Sequence, residues 1–283
     1  MRNVLVTGSG GQLGSCIKDI EKQYEGLNII YTNYQELDIS DLSQIEVFFK
    51  SNQIDYCINC AGYTAVDKAE TEADKAFETN ATGAKNLASI CSEQGAVLIH
   101  ISTDFVFDGQ KTEPYKESDI PNPINVYGAS KLKGEVEIQK TLKEHFIIRT
   151  SWLYSEHGNN FMKTMLRLAE TRDEISVVSD QIGVPTNAND LSTFLIEIIT
   201  SSSNNFGVYH YSNEGQTSWY GFAKAILEPY KRPIFVIPIS SREYPTAATR
   251  PKNSALNIEK AKKEFNIQPP KWEISLKKVI ENR

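Results

Sequence analysis

The chain has 283 residues, 40% of them hydrophobic and 23% charged, with a net charge of −6. This is globular composition, enough for one large domain or two packed lobes, and the weak negative charge argues against a general nucleic-acid or membrane-surface binder. No apolar run approaches the roughly 18 residues of a membrane span, and the first one stops at a glycine loop instead of continuing as a signal peptide, so a cytoplasmic protein is expected.

In chain order, residues 3–7 read as a buried strand, 12–23 as a helix, 27–31 as a second strand and 42–51 as a second helix. A third strand at 56–59, one long helix over 73–94, a fourth strand at 97–102, a helix over 127–143 and a fifth strand at 146–150 follow. Short continuous apolar strands separated by helices imply parallel pairing with both sheet faces covered, joined by right-handed crossovers. The expected fold is α/β, a doubly wound parallel sheet of Rossmann type. Past residue 150, helices at 161–171, 190–200, 218–228 and 275–282 alternate with turns around Pro185, Pro238, Pro245 and Pro251. They are assigned to a smaller α/β lobe, mainly 151–283, interleaved with the first lobe, 1–150, to which parts of 186–212 return. Cys16, Cys57, Cys60 and Cys91 read as small buried thiols, because Cys57-x-x-Cys60 spans a strand end and no second ligand pair follows it.

Gly8, Gly11 and Gly14 lie in the turn between the first strand and first helix. Without side chains they permit a tight turn and let backbone N–H groups approach a pyrophosphate at the helix N-terminus. The first lobe is therefore expected to bind a dinucleotide. At the end of the second strand, where an acidic residue selects NAD, stands Asn33, with no arginine beside it to attract a 2′-phosphate; the cofactor is NADPH or NADH. Asp38 and Ile39 are candidate adenine contacts, or alternatively a helix-start signal before Ser40.

Tyr127 and Lys131 lie four apart on one helix face, where an ammonium is expected to lower the phenol pKa into a working range for acid–base chemistry. The strand ending in Ser102-Thr103-Asp104 brings a hydroxyl, Thr103, to the carboxyl edge of the sheet, where ligands of such sheets bind.

These motifs, with Asn59-Cys60-Ala61-Gly62, resemble the extended short-chain dehydrogenases/reductases. More narrowly, the chain resembles the dTDP-4-dehydrorhamnose reductase family through residues 64–70, 102–107, 149–154, 158–161, 180–186 and 250–254, which extend over nearly its whole length in family order. The resemblance implies NAD(P)H-dependent reduction of the C4 ketone of a dTDP-linked deoxysugar. Gly11, Gln12 and Leu13 would contact the pyrophosphate and Gly62, Tyr63 and Thr64 the dinucleotide. Tyr127, Lys131 and Thr103 would be catalytic, Lys131 also holding the nicotinamide ribose. Thr103, Asp104 and Trp152 would contact the sugar. Asn159 and Asn160 either cap a helix or serve the sugar-nucleotide diphosphate, and Arg250 is either a phosphate clamp or a surface arginine. His100 reads as a buried, hydrogen-bonded histidine. Some family members bind Mg²⁺ through interface glutamates; the matching positions hold Cys16 and Asn189, poor ligands for a hard cation. No metal is therefore favoured, and a monomer or weak homodimer is expected. The partner is a small nucleotide-sugar, not nucleic acid or membrane. Two rivals remain. One is another sugar-nucleotide enzyme of this fold, a reductase, an epimerase or a dehydratase, the last needing a glutamate where Phe105 stands; the other is a non-catalytic nucleotide-binding regulatory subunit, which needs no Tyr127–Lys131 pair.

Overall fold

The computed structural model describes residues 1–230 and 233–281. Strands β1 (Arg2–Thr7), β2 (Leu27–Thr32), β3 (Tyr56–Asn59), β4 (Val97–Thr103) and β5 (His145–Thr150) join a sixth, Gly207–His210, in one sheet. The order is Gly207–His210, β5, β4, β3, β1, β2, with every pair parallel. Between β2 and β3 the chain reverses direction across the sheet, so β1 borders the switch point at which open α/β sheets bind ligands.

Period-two alternation divides the apolar residues between the sheet faces. Val4, Val6, Ile58 and Ile148 pack with Leu13 and Ile17 of the helix Gln12–Ile20 and with Leu191, Leu195 and Ile198 of the helix Ala188–Ser201. On the opposite face Leu5, Cys57, Leu98 and Ile147 meet Ile45 and Phe49 of Leu42–Asn52, Leu87 of Gly83–Gln94 and Ile138 of Val126–Thr141. A separate core gathers Tyr154 of the short strand Leu153–Tyr154 with Met162, Met165, Phe222, Ile226, Trp272 and Leu276 from Phe161–Ala169, Trp219–Leu227 and Trp272–Glu281. Two parallel strands, Glu174–Val178 and Phe235–Ile239, lie beside it.

The single helix expected over 73–94 is interrupted: Ala73–Phe77 and Gly83–Gln94 are α-helical, and Glu78–Thr82 is a π turn. The crossing helix Val126–Thr141 makes room for it with Gly134, where a Cβ would stand 2.1 Å from the Asn80 carbonyl oxygen. That crossing helix starts at Val126 because Asn125 caps it, its Oδ1 accepting from the Gly128 N–H at 2.7 Å. The last helix starts at Trp272, before the expected 275; its expected end, Asn282, lies outside the described residues. A helix at Glu259–Phe265 has no counterpart in the sequence reading, being short and highly charged.

Candidate active site

A cleft of about 950 Å³ opens along the carboxyl ends of β1 to β5. Gly8 closes the first turn in the left-handed region (φ 64°), where a Cβ would lie 2.6 Å from the Ala61 backbone. A Cβ on Gly14 would meet Ser9 Cα at 2.5 Å, so this glycine seats the loop on its helix and does not line the cleft. Gly11, Gln12 and Leu13 do line it. The helix Gln12–Ile20 has no side-chain N-cap and no acidic residue in its first turn, which leaves its N-terminal N–H groups for an anion. This is a cradle that fits a pyrophosphate. The Gln12 side chain is already engaged, donating to Leu153 O at 3.1 Å and accepting from Asn160 Nδ2 at 2.7 Å.

Asn33, Asp38 and Ile39 border the same cleft, together with the exposed Tyr34. Asn33 Oδ1 accepts from the N–H groups of Gln35 (2.9 Å) and Glu36 (3.3 Å). The oxygen is thereby occupied and Nδ2, a donor, is the part left to meet a ligand. Asp38 Oδ1 accepts from both the N–H and the hydroxyl of Ser40, at 2.9 and 2.7 Å, while the residue still faces the cleft; it serves the turn and the cleft wall together.

Thr103 ends β4. Its hydroxyl donates to Asp104 Oδ1 at 3.0 Å and accepts from the Phe105 N–H at 3.2 Å, and Thr103 lines the same cleft as Tyr127. Burial pushes the Tyr127 phenol up to about 12, the neighbouring Thr103 hydroxyl draws it partly back, and the charge of Asp104 raises it. The lowering expected from Lys131 is absent. The shared helix face does not bring the charge to the phenol, because Lys131 Nζ turns back to the sheet. There it donates to Ile101 O at 2.6 Å and lies 3.3 Å from His100 Nε2. Burial draws Lys131 down to about 8, against Glu135 and Cys60, which favour its charged form. Asp104 is buried and its carboxyl is pushed up to about 7 by that burial, with hydrogen bonds from Ser254 and Thr103 opposing. Its Oδ2 and the Thr150 hydroxyl, both at the cleft wall, have no hydrogen-bond partner among the described residues. Orphaned polar atoms here are what a polar ligand satisfies.

Trp152 also lines the cleft, in the left-handed region at φ 46°. Its ring is held between Gly183, where a Cβ would lie 2.5 Å from it, and Trp219, stacked at 3.6 Å and 10°. Trp219 carries no signal in the sequence beyond being an aromatic residue at a helix start. Asn80 was equally illegible. The π turn directs its side chain to Tyr63 (Nδ2 to O, 3.0 Å; N–H to Oδ1, 2.8 Å) and to Ser130 Oγ at 2.9 Å, clamping the cleft loop to the Tyr127 helix. The sign available beforehand was an asparagine inside a helix, an uncommon place for it.

Three expectations are corrected. Asn160 is spent on capping: Oδ1 accepts from the Lys163 N–H at 3.0 Å and Nδ2 bonds Gln12 and Ser155 O, so Asn159, not Asn160, faces the cleft. Arg250 is outside the cleft lining, its guanidinium gripping Asp67 through two bonds of 2.7 and 3.0 Å. Cys60 is only half-buried and borders the cleft, while Cys16, Cys57 and Cys91 are buried. Among the described residues, one group of possible metal ligands gathers within 4.8 Å: Asp19, Glu156 and His157. It stands beside Asn189, whose Nδ2 donates to Glu156 at 2.9 Å.

The RmlD substrate binding domain family matches residues 1–283. A dTDP-4-dehydrorhamnose reductase of Aggregatibacter actinomycetemcomitans is 39% identical over 99% of this chain and 98% of its own. Another, of Sinorhizobium fredii, is 41% identical over 97% and 95%. Among solved structures, that of dTDP-4-dehydrorhamnose reductase from Bacillus anthracis in complex with NADP is 40% identical, superposes with a TM-score of 0.95 and covers 100% of both chains. With likeness of this degree along its entire length, the chain belongs to the RmlD substrate binding domain family, beside these dTDP-4-dehydrorhamnose reductases.

Proposed function

We propose that the protein is a cytoplasmic NAD(P)H-dependent oxidoreductase that reduces the C4 ketone of dTDP-4-dehydro-L-rhamnose to give dTDP-L-rhamnose. The observation that carries this reading is that Thr103 and Tyr127 line one cleft with the uncapped helix of the glycine loop. The names and full-length similarity of the relatives supply the substrate. Among the described residues no helix is long and apolar enough to cross a membrane.

The reduced nicotinamide, when bound, supplies the hydride. Backbone groups of Gly11, Gln12 and Leu13 hold the pyrophosphate, with Gly8 and Gly14 shaping the turn. Asn33, Asp38 and Ile39 take the adenosine end, Gly62, Tyr63 and Thr64 the middle, and Lys131 the nicotinamide ribose. Tyr127 gives its proton to the oxygen of the reduced carbonyl. A phenol near 12 suits a proton donor, since it stays protonated at neutral pH, and an alkoxide, whose alcohol is about as weak an acid as water, is the stronger base. Thr103 holds that same oxygen in place. Asp104, Trp152 and Asn159 face the sugar. The dinucleotide lobe comprises residues 1–150 with Ala188–Ser201 and Gly207–His210, which complete its sheet and core.

The test is consumption of NADPH and of NADH with dTDP-4-dehydro-L-rhamnose, beside other keto-sugar nucleotides. Turnover confined to this substrate is expected. Turnover on a different keto-sugar alone overturns the substrate, and no cofactor oxidation with any of them overturns the enzyme reading.

A further inference from the structure

Behind the cleft runs a chain of buried polar side chains, Thr7, Asn59, His100 and Lys131, all 5% exposed or less. Thr7 Oγ1 donates to Asn59 Oδ1 at 2.7 Å, and the Ala61 N–H donates to the same atom at 3.1 Å. A backbone N–H can only donate, so the atom of Asn59 facing it is the oxygen. The amide nitrogen is then the one 2.9 Å from His100 Nδ1. An amide nitrogen donates, so Nδ1 accepts, and the single proton of the neutral imidazole sits on Nε2. That nitrogen is the one 3.3 Å from Lys131 Nζ.

His210, a second buried imidazole beside a cation, is arranged the other way. Its Nδ1 lies 3.1 Å from the Tyr115 carbonyl oxygen and therefore carries the proton, which leaves Nε2 to accept from Arg149 at 3.4 Å. There the ring meets a cation with a lone pair. At His100 it meets one with an N–H.

We propose that His100 is a positioning residue: with its tautomer fixed by Thr7 and Asn59, the Nε2–H it presents governs the protonation of Lys131. A charged ammonium turned toward that N–H is repelled, whereas a neutral amine accepts from it. The remaining groups bearing on Lys131 are Glu135 on its own helix, Cys60 just past the end of β3 and the Ile101 carbonyl of β4; Tyr127, one turn back on the same helix, is not one of them. His145, at the start of β5, acts on His100. Burial first, then the lysine charge, holds the imidazole far below its usual range, so it stays neutral while Lys131 titrates. The consequence for turnover rests on the oxidoreductase reading; the tautomer and the lysine titration do not, being properties of the cofactor-free protein.

Ring-nitrogen NMR of the labelled, cofactor-free protein reads the tautomer directly, with His100→Gln assigning the signal. The expected result is an Nε2–H imidazole that stays neutral across the neutral pH range. An Nδ1–H tautomer or an imidazolium overturns the proposal, with no variant required. In His100→Gln an amide oxygen can accept from Lys131, so the Lys131 titration, followed by NMR at its side chain, should move up by about one pH unit. Asn59→Asp offers only acceptors to His100. It should reverse the tautomer and move the lysine in the same direction. The alkaline limb of kcat/KM should follow in both variants. A folded His100→Gln protein whose Lys131 titrates like the wild type shows His100 to be merely structural. Failure to reduce any keto-sugar would leave the NMR outcomes standing, so the two readings fail separately.

Discussion

Tyr127 and Asn33 carry the sharpest predictions at the residue scale. Tyr127→Phe keeps the ring that lies edge-on to Phe105 at 5.8 Å and removes only the proton. Turnover should fall by about 10²–10⁴ while cofactor affinity stays nearly unchanged. Wild-type turnover in this variant, with chemistry rate-limiting, removes Tyr127 from the mechanism. Asn33 lines the cleft with Oδ1 already accepting, which leaves Nδ2, a donor suited to a 2′-phosphate but without a full charge, so both reduced cofactors should work with NADPH somewhat preferred. Asn33→Asp keeps an oxygen for the Gln35 and Glu36 N–H groups and replaces the donor by a negative oxygen that repels the phosphate. The ratio of kcat/KM for NADH over NADPH should rise; an unmoved ratio puts Asn33 away from the ribose. The place of both side chains at the cleft was legible beforehand, since it depends on neighbours within a turn or a strand end. The direction of Lys131 was not. Spacing of four residues places it on the face of Tyr127, but its partners, Ile101 and His100, come from a strand 30 residues away.

At the scale of elements, the Tyr127 helix is fixed to the sheet by a buried ion pair. Arg149 of β5 holds Glu135 through Nε at 2.9 Å and Nη2 at 2.6 Å, Ser102 of β4 donates to the same carboxylate, and the guanidinium stands 5.2 Å over the Phe107 ring. Removing one partner strands the other charge in the core. Glu135→Leu should therefore cost about 3–5 kcal/mol, and adding Arg149→Met should recover most of it. Chemical denaturation reads both; a single variant as stable as the wild type contradicts the pair's burial. Gly134→Ala tests the helix crossing. Its Cβ has no room beside the Asn80 carbonyl, so about 1–3 kcal/mol of stability should be lost, and kcat should fall as Asn80 releases Tyr63. Thermal melts alongside steady-state kinetics separate the two losses; unchanged values in both place the π turn outside the site's support.

For the whole molecule, the positions at which the family resemblance would place metal-binding glutamates are a buried thiol, Cys16, packed in the first core, and Asn189, already donating to Glu156. Activity should be insensitive to EDTA, and sedimentation should give the same monomer or weak dimer with and without Mg²⁺. A dimer formed by Mg²⁺ and dissolved by chelation reverses this and directs attention to Asp19, Glu156 and His157. The sequence by itself determined the parallel sheet, the glycine turn and the placing of Thr103 and Tyr127 at one cleft. Each follows from periodicity or spacing within about a dozen residues, or from the rule that strand carboxyl ends gather at one edge. The tertiary structure alone decided that Asn160 is spent on Gln12, 148 residues away, and Arg250 on Asp67, 183 residues away. It alone stacked Trp219 on Trp152, turned Asn80 inward through a π turn and set His100 against Lys131. A side chain with several possible partners chooses among them by packing between distant segments, and no local pattern in the chain encodes that choice.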